Sequence, residues 1–312
     1  MTEATLATGA VPRPAARSGA RGRAGGAWPR RAMVAPTVLA TVVLGAYPLV
    51  FIVLTAFSQS SLGRPLQAWV GTANFAEVLT DTDVTASLLR NIGYAVVVTV
   101  VSVALGVVTA LALRSATTRG SLVRTLLLLP LITPPVIVGV LWKLIFNPSG
   151  GLLGTVLSAL GRRGDPVAVL SSPASALAGI GVADVWEWTP LIALLVFAAL
   201  LGQDRSVAEA AALDGAHGFR FFCSITLPAI AGTIAAAFLV RLVLAFKVFD
   251  LVFVLTSGGP GTSTSVPAYL IYQAALQQFD LGRASTITLL LAVVVTVVTL
   301  PVILIARRLH RD

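Results

Sequence analysis

The sequence predicts an all-α membrane protein of six transmembrane helices, and three observations carry the prediction. The 312-residue chain is 56% hydrophobic and 11% charged, with mean hydropathy +0.91; soluble domains carry about 25% charged residues. Several uncharged stretches reach the roughly 20 residues needed to cross a hydrocarbon core. Basic residues are concentrated in alternate connections between those stretches.

Residues 1–31 are rich in Ala, Gly, Arg and Pro and have no apolar periodicity. They read as a disordered basic tail whose arginines can rest against anionic lipid. The first span lies in Ala32–Gly63. It is too long for a signal-peptide core and lacks a small-x-small cleavage site, so it is read as retained. Asn91–Leu113 forms the second span and Thr125–Trp142 the third, where Pro130, Pro134 and Pro135 must kink or break the helix. The fourth, Ala176–Leu201, contains Asp184 and Glu187; the fifth, Ala229–Leu255, contains Arg241, Lys247 and Asp250. Ala284–Ala306 is the sixth.

The positive-inside rule sets the orientation. With the N-terminus inside, 14 basic residues fall in cytoplasmic segments and six outside. Both termini and the segment 203–228 are therefore expected in the cytoplasm. The net charge of +9 is mainly topological. It does not form the basic, aromatic-interleaved face of a nucleic-acid binder.

Enzyme chemistry finds no foothold. The only lysines, Lys143 and Lys247, lack the Gly-rich turn of a phosphate-binding loop. His217 and His310 are the only histidines, which leaves no metal set and no His-based nucleophile relay. The single cysteine, Cys223, excludes an internal disulfide and reads as small apolar packing. A chain of this kind binds no cofactor, and its energy must come from a partner or an ion gradient.

The most informative segment is Glu209-Ala210-Ala211-Ala212-Leu213-Asp214-Gly215-Ala216, followed by Ile225-Thr226-Leu227-Pro228. It reads as a helix, a Gly stop and a second short helix over Phe219–Ile225, set between two apolar spans. The spacing Glu-Ala-Ala, three residues, Gly, nine residues, Ile-x-Leu-Pro resembles the cytoplasmic coupling loop of the membrane subunit of bacterial binding-protein-dependent ABC importers. Further motifs resemble the sugar-permease branch: Tyr47-Pro48, Val70–Phe75, Leu129-Pro130, Pro134-Pro135, Trp142, Phe146–Pro148, Trp186, Pro190 and Thr256–Pro260. The resemblance covers nearly everything after residue 32.

The resemblance implies a type I importer permease fold over residues 32–312, with its coupling loop at about 203–228, in the bacterial inner membrane. It further implies a second homologous permease subunit, two ATPase subunits that use ATP and Mg, and an extracytoplasmic solute-binding lipoprotein. The cargo would be a sugar or sugar-like solute. Glu209 would make a polar contact with the motor, Ala210 and Ala211 would pack closely, and Asp214 lies in the same contact. Gly215 would permit the turn, and Pro228 would start the next span. In maltose-type permeases, offsets matching Val185, Glu187, Trp188, Arg241, Leu244, Ala245 and Val248 line the substrate path.

Alternatives stay open from the residues alone. Glu187 and Arg241 can instead form a structural ion pair, and Lys247 and Asp250 a local one. Arg241 leaves room for an anionic glycerol- or sugar-phosphate, and the intramembrane charges for an ion-coupled secondary transporter. The orientation is directly testable. On intact spheroplasts, a membrane-impermeant thiol reagent is expected to spare Cys223 and to label a cysteine introduced at Ser263, which should be external. The reverse pattern inverts the topology.

Overall fold

The computed structural model describes residues 27–115, 120–161, 167–213 and 215–309. Two compact units divide the chain, residues 1–49 and 50–312. Helix α1 (Ala27–Ala56) runs through both and accommodates Pro36 and Pro48. It begins inside the segment read as a tail; residues 1–26 lie outside the described residues.

The second unit opens with two short strands that the sequence reading did not foresee, β1 (Ser58–Ser61) and β2 (Arg64–Trp69). They pair antiparallel, Ser58 opposite Trp69 and Ser61 opposite Arg64. Their polar serines and glutamine hide them from an apolar-periodicity search. Asn74, in the Val70–Phe75 motif, donates from Nδ2 to the carbonyls of Ala56 and Ser58 at 2.9 and 3.0 Å. It thereby closes the end of α1, whose last carbonyls have no helical partner. Helix α2 (Ala73–Thr80) leads to α3 (Thr82–Ser115).

Long helices form the core of this unit: α3, α7 (Pro173–Leu201), α10 (Leu227–Phe246) and α13 (Leu281–Leu309). Two buried clusters join the first three, and Leu291 and Val294 of α13 pack against one of them. One gathers Tyr94, Val98, Ile180, Ala183, Leu242, Ala245 and Phe246; the other gathers Ala110, Ile192, Val196, Leu200 and Ile230. The α3–α7 contact depends on a small residue. A Cβ at Gly106 would lie 2.7 Å from Cβ of Ile192 and 3.1 Å from the backbone N of Ala193.

Five helices are long and apolar enough to cross a membrane, and a bent pair makes the sixth. That pair is the predicted third span. Helices α4 (Gly120–Ile132) and α5 (Pro135–Ile145) meet at 101°. Tandem Pro134 and Pro135 supply no N–H, and each pushes the residue before it out of the helical region. Helix α6 (Leu152–Ala159) follows.

The predicted fifth span also departs from Ala229–Leu255. Helix α9 (Gly218–Phe221) continues through a π-helical turn, Phe222–Thr226, into α10. Pro228 therefore lies within a continuous helical run rather than starting it. The widened turn directly precedes the proline, where an α-helical pattern would lose a hydrogen bond and crowd the ring. At the other end the helix breaks at residues 247–249, and α11 (Asp250–Leu255) begins anew. The break removes Lys247 and Asp250 from a common helical face, and the expected pair between them is not formed. Asn91 Nδ2 donates to the freed carbonyl of Phe246 at 3.2 Å.

At the β1–β2 end, polar contacts bind the helix termini together. Thr55 and Ser285 share a 2.7 Å hydrogen bond, and Ser61 bridges Asp280. Arg283, at the start of α13, pairs with Glu77 at 3.2 Å and with Asp81. The Ser263 hydroxyl is buried, whereas Gln67 on β2 is exposed and offers the better position for an external thiol. Partial burial pushes the Asp81 carboxyl up, but Arg283 and the N–H groups of Asp83 and Val84 outweigh it and hold it below the ordinary value.

Gly106→Val is expected to cost about 1–3 kcal/mol by overpacking, read as a lowered Tm of the detergent-purified protein; an unchanged Tm refutes the close contact. Asp81→Asn is expected to cost about 1 kcal/mol or less at neutral pH, because the pair is partly solvated. A depressed carboxyl stabilises above its unfolded pKa and loses that contribution as pH falls through the folded value. The gap between wild type and Asp81→Asn should therefore close below about pH 4, as followed by thermal unfolding against pH.

Candidate functional site

Two features of the second unit carry chemistry: a helical hairpin between α7 and α10, and a polar cluster buried where those helices cross.

The hairpin is built by local rules. Asp204 accepts a hydrogen bond from the Ser206 N–H at 3.0 Å, opening helix α8 (Arg205–Leu213). That contact holds the exposed Asp204 carboxyl below its ordinary value. At the far end the Ala216 N–H donates to the Ala211 carbonyl at 2.9 Å, and Gly215 has φ +76°. This six-to-one closure over a left-handed residue is a Schellman cap, which glycine enters without a Cβ penalty. The expectation that Gly215 makes the turn therefore has its backbone geometry. Asp214 lies outside the described residues.

Glu209 and Ala210 are exposed, whereas Ala211 is buried against its own chain. Consecutive helical residues point about 100° apart, so the two alanines serve different faces. Val207 and Phe219 are also exposed, Phe219 at 80%, with the Phe222 ring 6.4 Å away. Pro228 and Cys223 are exposed as well. Arg114, near the end of α3, donates to Gln203 at 2.8 Å and fastens the root of the hairpin.

Deep in the bundle, Arg241 of α10 donates from Nη2 to Oδ2 of Asp184 on α7 at 2.7 Å, with side-chain exposures of 0% and 4%. Helix α3 supplies two further partners. Tyr94 OH donates to the same Asp184 oxygen at 3.0 Å, and Arg241 Nε donates to Ser102 Oγ at 3.2 Å. The sequence reading considered Glu187 as the partner of Arg241; the structure selects Asp184. Glu187 lies one turn further along α7, is also buried, and accepts no hydrogen bond from the described residues. Spacing alone places both carboxylates on one face of α7. Which of them meets Arg241 depends on the register of α7 against α10. Breaking a buried pair of this kind by removing one partner typically costs about 3–5 kcal/mol.

The remaining residues expected along a path are divided. Ala245 and Val248, like Arg241, are buried in the chain's own core. Trp188, Leu244 and Val185 are half-buried. Val185 lines an apolar groove of about 1100 Å³ between α3, α4, α5 and α7, together with Trp186 and Trp142. Those two indoles meet edge to face at 6.0 Å. The Thr256–Pro260 turn is tied by a 2.8 Å bond between the Thr256 and Thr264 hydroxyls. It borders a second cavity of about 460 Å³ beside Lys143 and Asn147. Among the described residues, no group of three His, Cys, Asp or Glu side chains is placed to hold a metal.

A bundle with broken spans, a buried polar cluster and a capped helical hairpin between two spans defines a multi-pass membrane permease. Residues 102–312 match the family described as the binding-protein-dependent transport system inner membrane component, and the chain belongs to it. It is the transmembrane permease subunit of an ABC importer. The chain is 36% identical to the trehalose/maltose transport system permease protein MalF of Thermococcus litoralis, over 85% of this chain and 90% of that one. It is 29% identical to the sn-glycerol-3-phosphate transport system permease protein UgpA of Agrobacterium fabrum, over 86% and 90%. Its fold matches a chain from the crystal structure of a bacterial ABC transporter involved in alginate import. The TM-score is 0.79 at 24% identity, covering 90% of this chain and 96% of that one.

Gly215→Val should strain the cap by about 1–2 kcal/mol, because a branched side chain resists positive φ. Faster amide exchange or protease cleavage across 203–228 would register the loosened turn. Unaltered protection there would contradict the capping role.

Proposed function

We propose that this chain forms half of a heterodimeric permease that carries a neutral sugar into the cytoplasm, driven by ATP hydrolysis in separate subunits. The observation that carries this reading is the capped hairpin, which presents Glu209, Ala210 and Phe219 outward at the coupling-loop positions. A short, rigid helix between two spans transmits a push better than a flexible loop. Two partner ATPases would grip it and bind ATP and Mg, with no cofactor held by this chain. Both termini would lie in the cytoplasm. An extracytoplasmic binding lipoprotein would deliver the solute on the β1–β2 side.

Relatives named for trehalose and maltose support a sugar; those named for glycerol phosphate and sulfoquinovosyl glycerol keep an anionic cargo in view. The charge inventory favours the neutral solute. The Arg241 charge is paired with Asp184, although its buried Nη1 has no hydrogen-bond partner, so the unpaired charge in the cluster is the Glu187 carboxylate, an acceptor for sugar hydroxyls. On this reading Glu187, Val185, Trp188 and Leu244 border the path, while Arg241, Ala245 and Val248 support them from behind.

Uptake measured in proteoliposomes with all partner subunits tests both parts. ATP-dependent uptake of a neutral sugar from a panel including glycerol 3-phosphate is expected. Gly215→Trp should abolish it at normal membrane levels, and full uptake by that variant rejects the motor contact. Glu187→Ala should lower uptake about tenfold, the worth of one charged hydrogen bond. Near-normal uptake removes Glu187 from the path.

A further inference from the structure

The hairpin connects α7 to α10, and the ion pair that joins these same two helices lies far from it. At 1.5 Å per residue, Asp184 is about 25 Å from Leu201, and Arg241 about 21 Å from Leu227. Both arms of the hairpin are thus pinned to each other more than halfway along the lever. They are also pinned to a third helix, because Tyr94 and Ser102 of α3 bind the same two side chains. Arg114–Gln203 repeats the α3 attachment at the near end.

We propose that Asp184, Arg241, Tyr94 and Ser102 are positioning residues for transport, which make α3, α7 and α10 one rigid body behind the coupling hairpin. The inference rests on the reading that motors drive this hairpin. Separating the two charges in an apolar interior strips Asp184 of its cation and leaves Arg241 only Glu187, one turn along α7, so opening the clamp is costly and it stays shut through the stroke. Motion imposed on α8 is then carried by all three helices together. Bending falls at the π-turn Phe222–Thr226, at the break 247–249 and at the α4–α5 corner, where helical hydrogen bonding is already interrupted. The clamp also keeps the guanidinium on Asp184 and so leaves Glu187 free.

The test separates holding the fold from transmitting the stroke. A buried pair replaced by apolar residues of similar volume commonly preserves folding. Asp184→Leu combined with Arg241→Met should therefore reach the membrane with a near-normal Tm, while α7 and α10 lose their directional lock. In proteoliposomes of the whole transporter, ATP hydrolysis should persist and solute moved per ATP should fall about tenfold or more. Tyr94→Phe removes one hydrogen bond and keeps the ring; it should lower the same ratio about two- to fivefold at unchanged Tm. If the double variant does not accumulate, the Tyr94→Phe ratio decides alone. A wild-type ratio in the double variant, or in Tyr94→Phe when only that variant accumulates, overturns the proposal. Uptake by the wild type without ATP would instead reject the motor-driven reading on which the clamp depends.

Discussion

Inside a hydrocarbon phase, a guanidinium and a carboxylate are tolerable only where each completes the other, and the Arg241–Asp184 contact sets the arrangement of the bundle around it. The pair has both charges buried and three helices contributing hydrogen bonds. The pair holds the observed register of α7 against α10, with Asp184 rather than Glu187 facing Arg241, and Tyr94 and Ser102 tie α3 to it. The apolar residues around it tolerate neighbouring registers at lower cost, because dispersion contacts are individually small and non-directional. Small residues then let the backbones close in. Gly106 under Ile192 and Ala183 and Ala245 in the core occupy positions where a longer side chain would hold the helices apart.

The same solvent rule explains the polar side chains at the helix breaks. A chain that leaves helical geometry at membrane depth exposes carbonyls that lipid cannot bind. Three such ends are met by a donor from elsewhere in the chain. Asn91 reaches Phe246, Asn74 reaches Ala56 and Ser58, and Lys143 reaches the Val254 carbonyl at 3.0 Å. Breaks supported in this way are defined structural positions. They divide the spans into stiff segments joined at a few places where bending costs little.

Stiffness and exposure are complementary in the hairpin. Its Schellman cap fixes the direction of α8, while Val207, Glu209, Ala210 and Phe219 remain uncovered. Local order without local burial is the property of a surface that completes itself on a partner. In the bundle the relation is reversed: Glu187 is buried without a hydrogen-bond partner among the described residues.

The sequence by itself determined what depends on runs and short spacings. Span number, the break at Pro134-Pro135, the helix–Gly–helix hairpin and the turn at Gly215 follow from hydrophobic length and from backbone chemistry within one or two turns. Family membership was legible from the Glu209–Pro228 spacing. Tertiary structure decided what depends on distant segments meeting. It chose Asp184 over Glu187 for Arg241, although both lie on one face of α7, because a fixed i, i+3 offset says nothing about the height of the opposing helix. It turned Ala211 inward and Ala210 outward. It paired a polar strand, Ser58–Ser61, with a short mixed one, Arg64–Trp69, and carried the fifth helix back past Pro228 through a π-turn. It also separated Lys247 from Asp250 by ending a helix that the apolar run alone would have continued. Helix ends and inter-helix registers are settled by which distant donor or charge is available, and that availability exists only once the chain has packed.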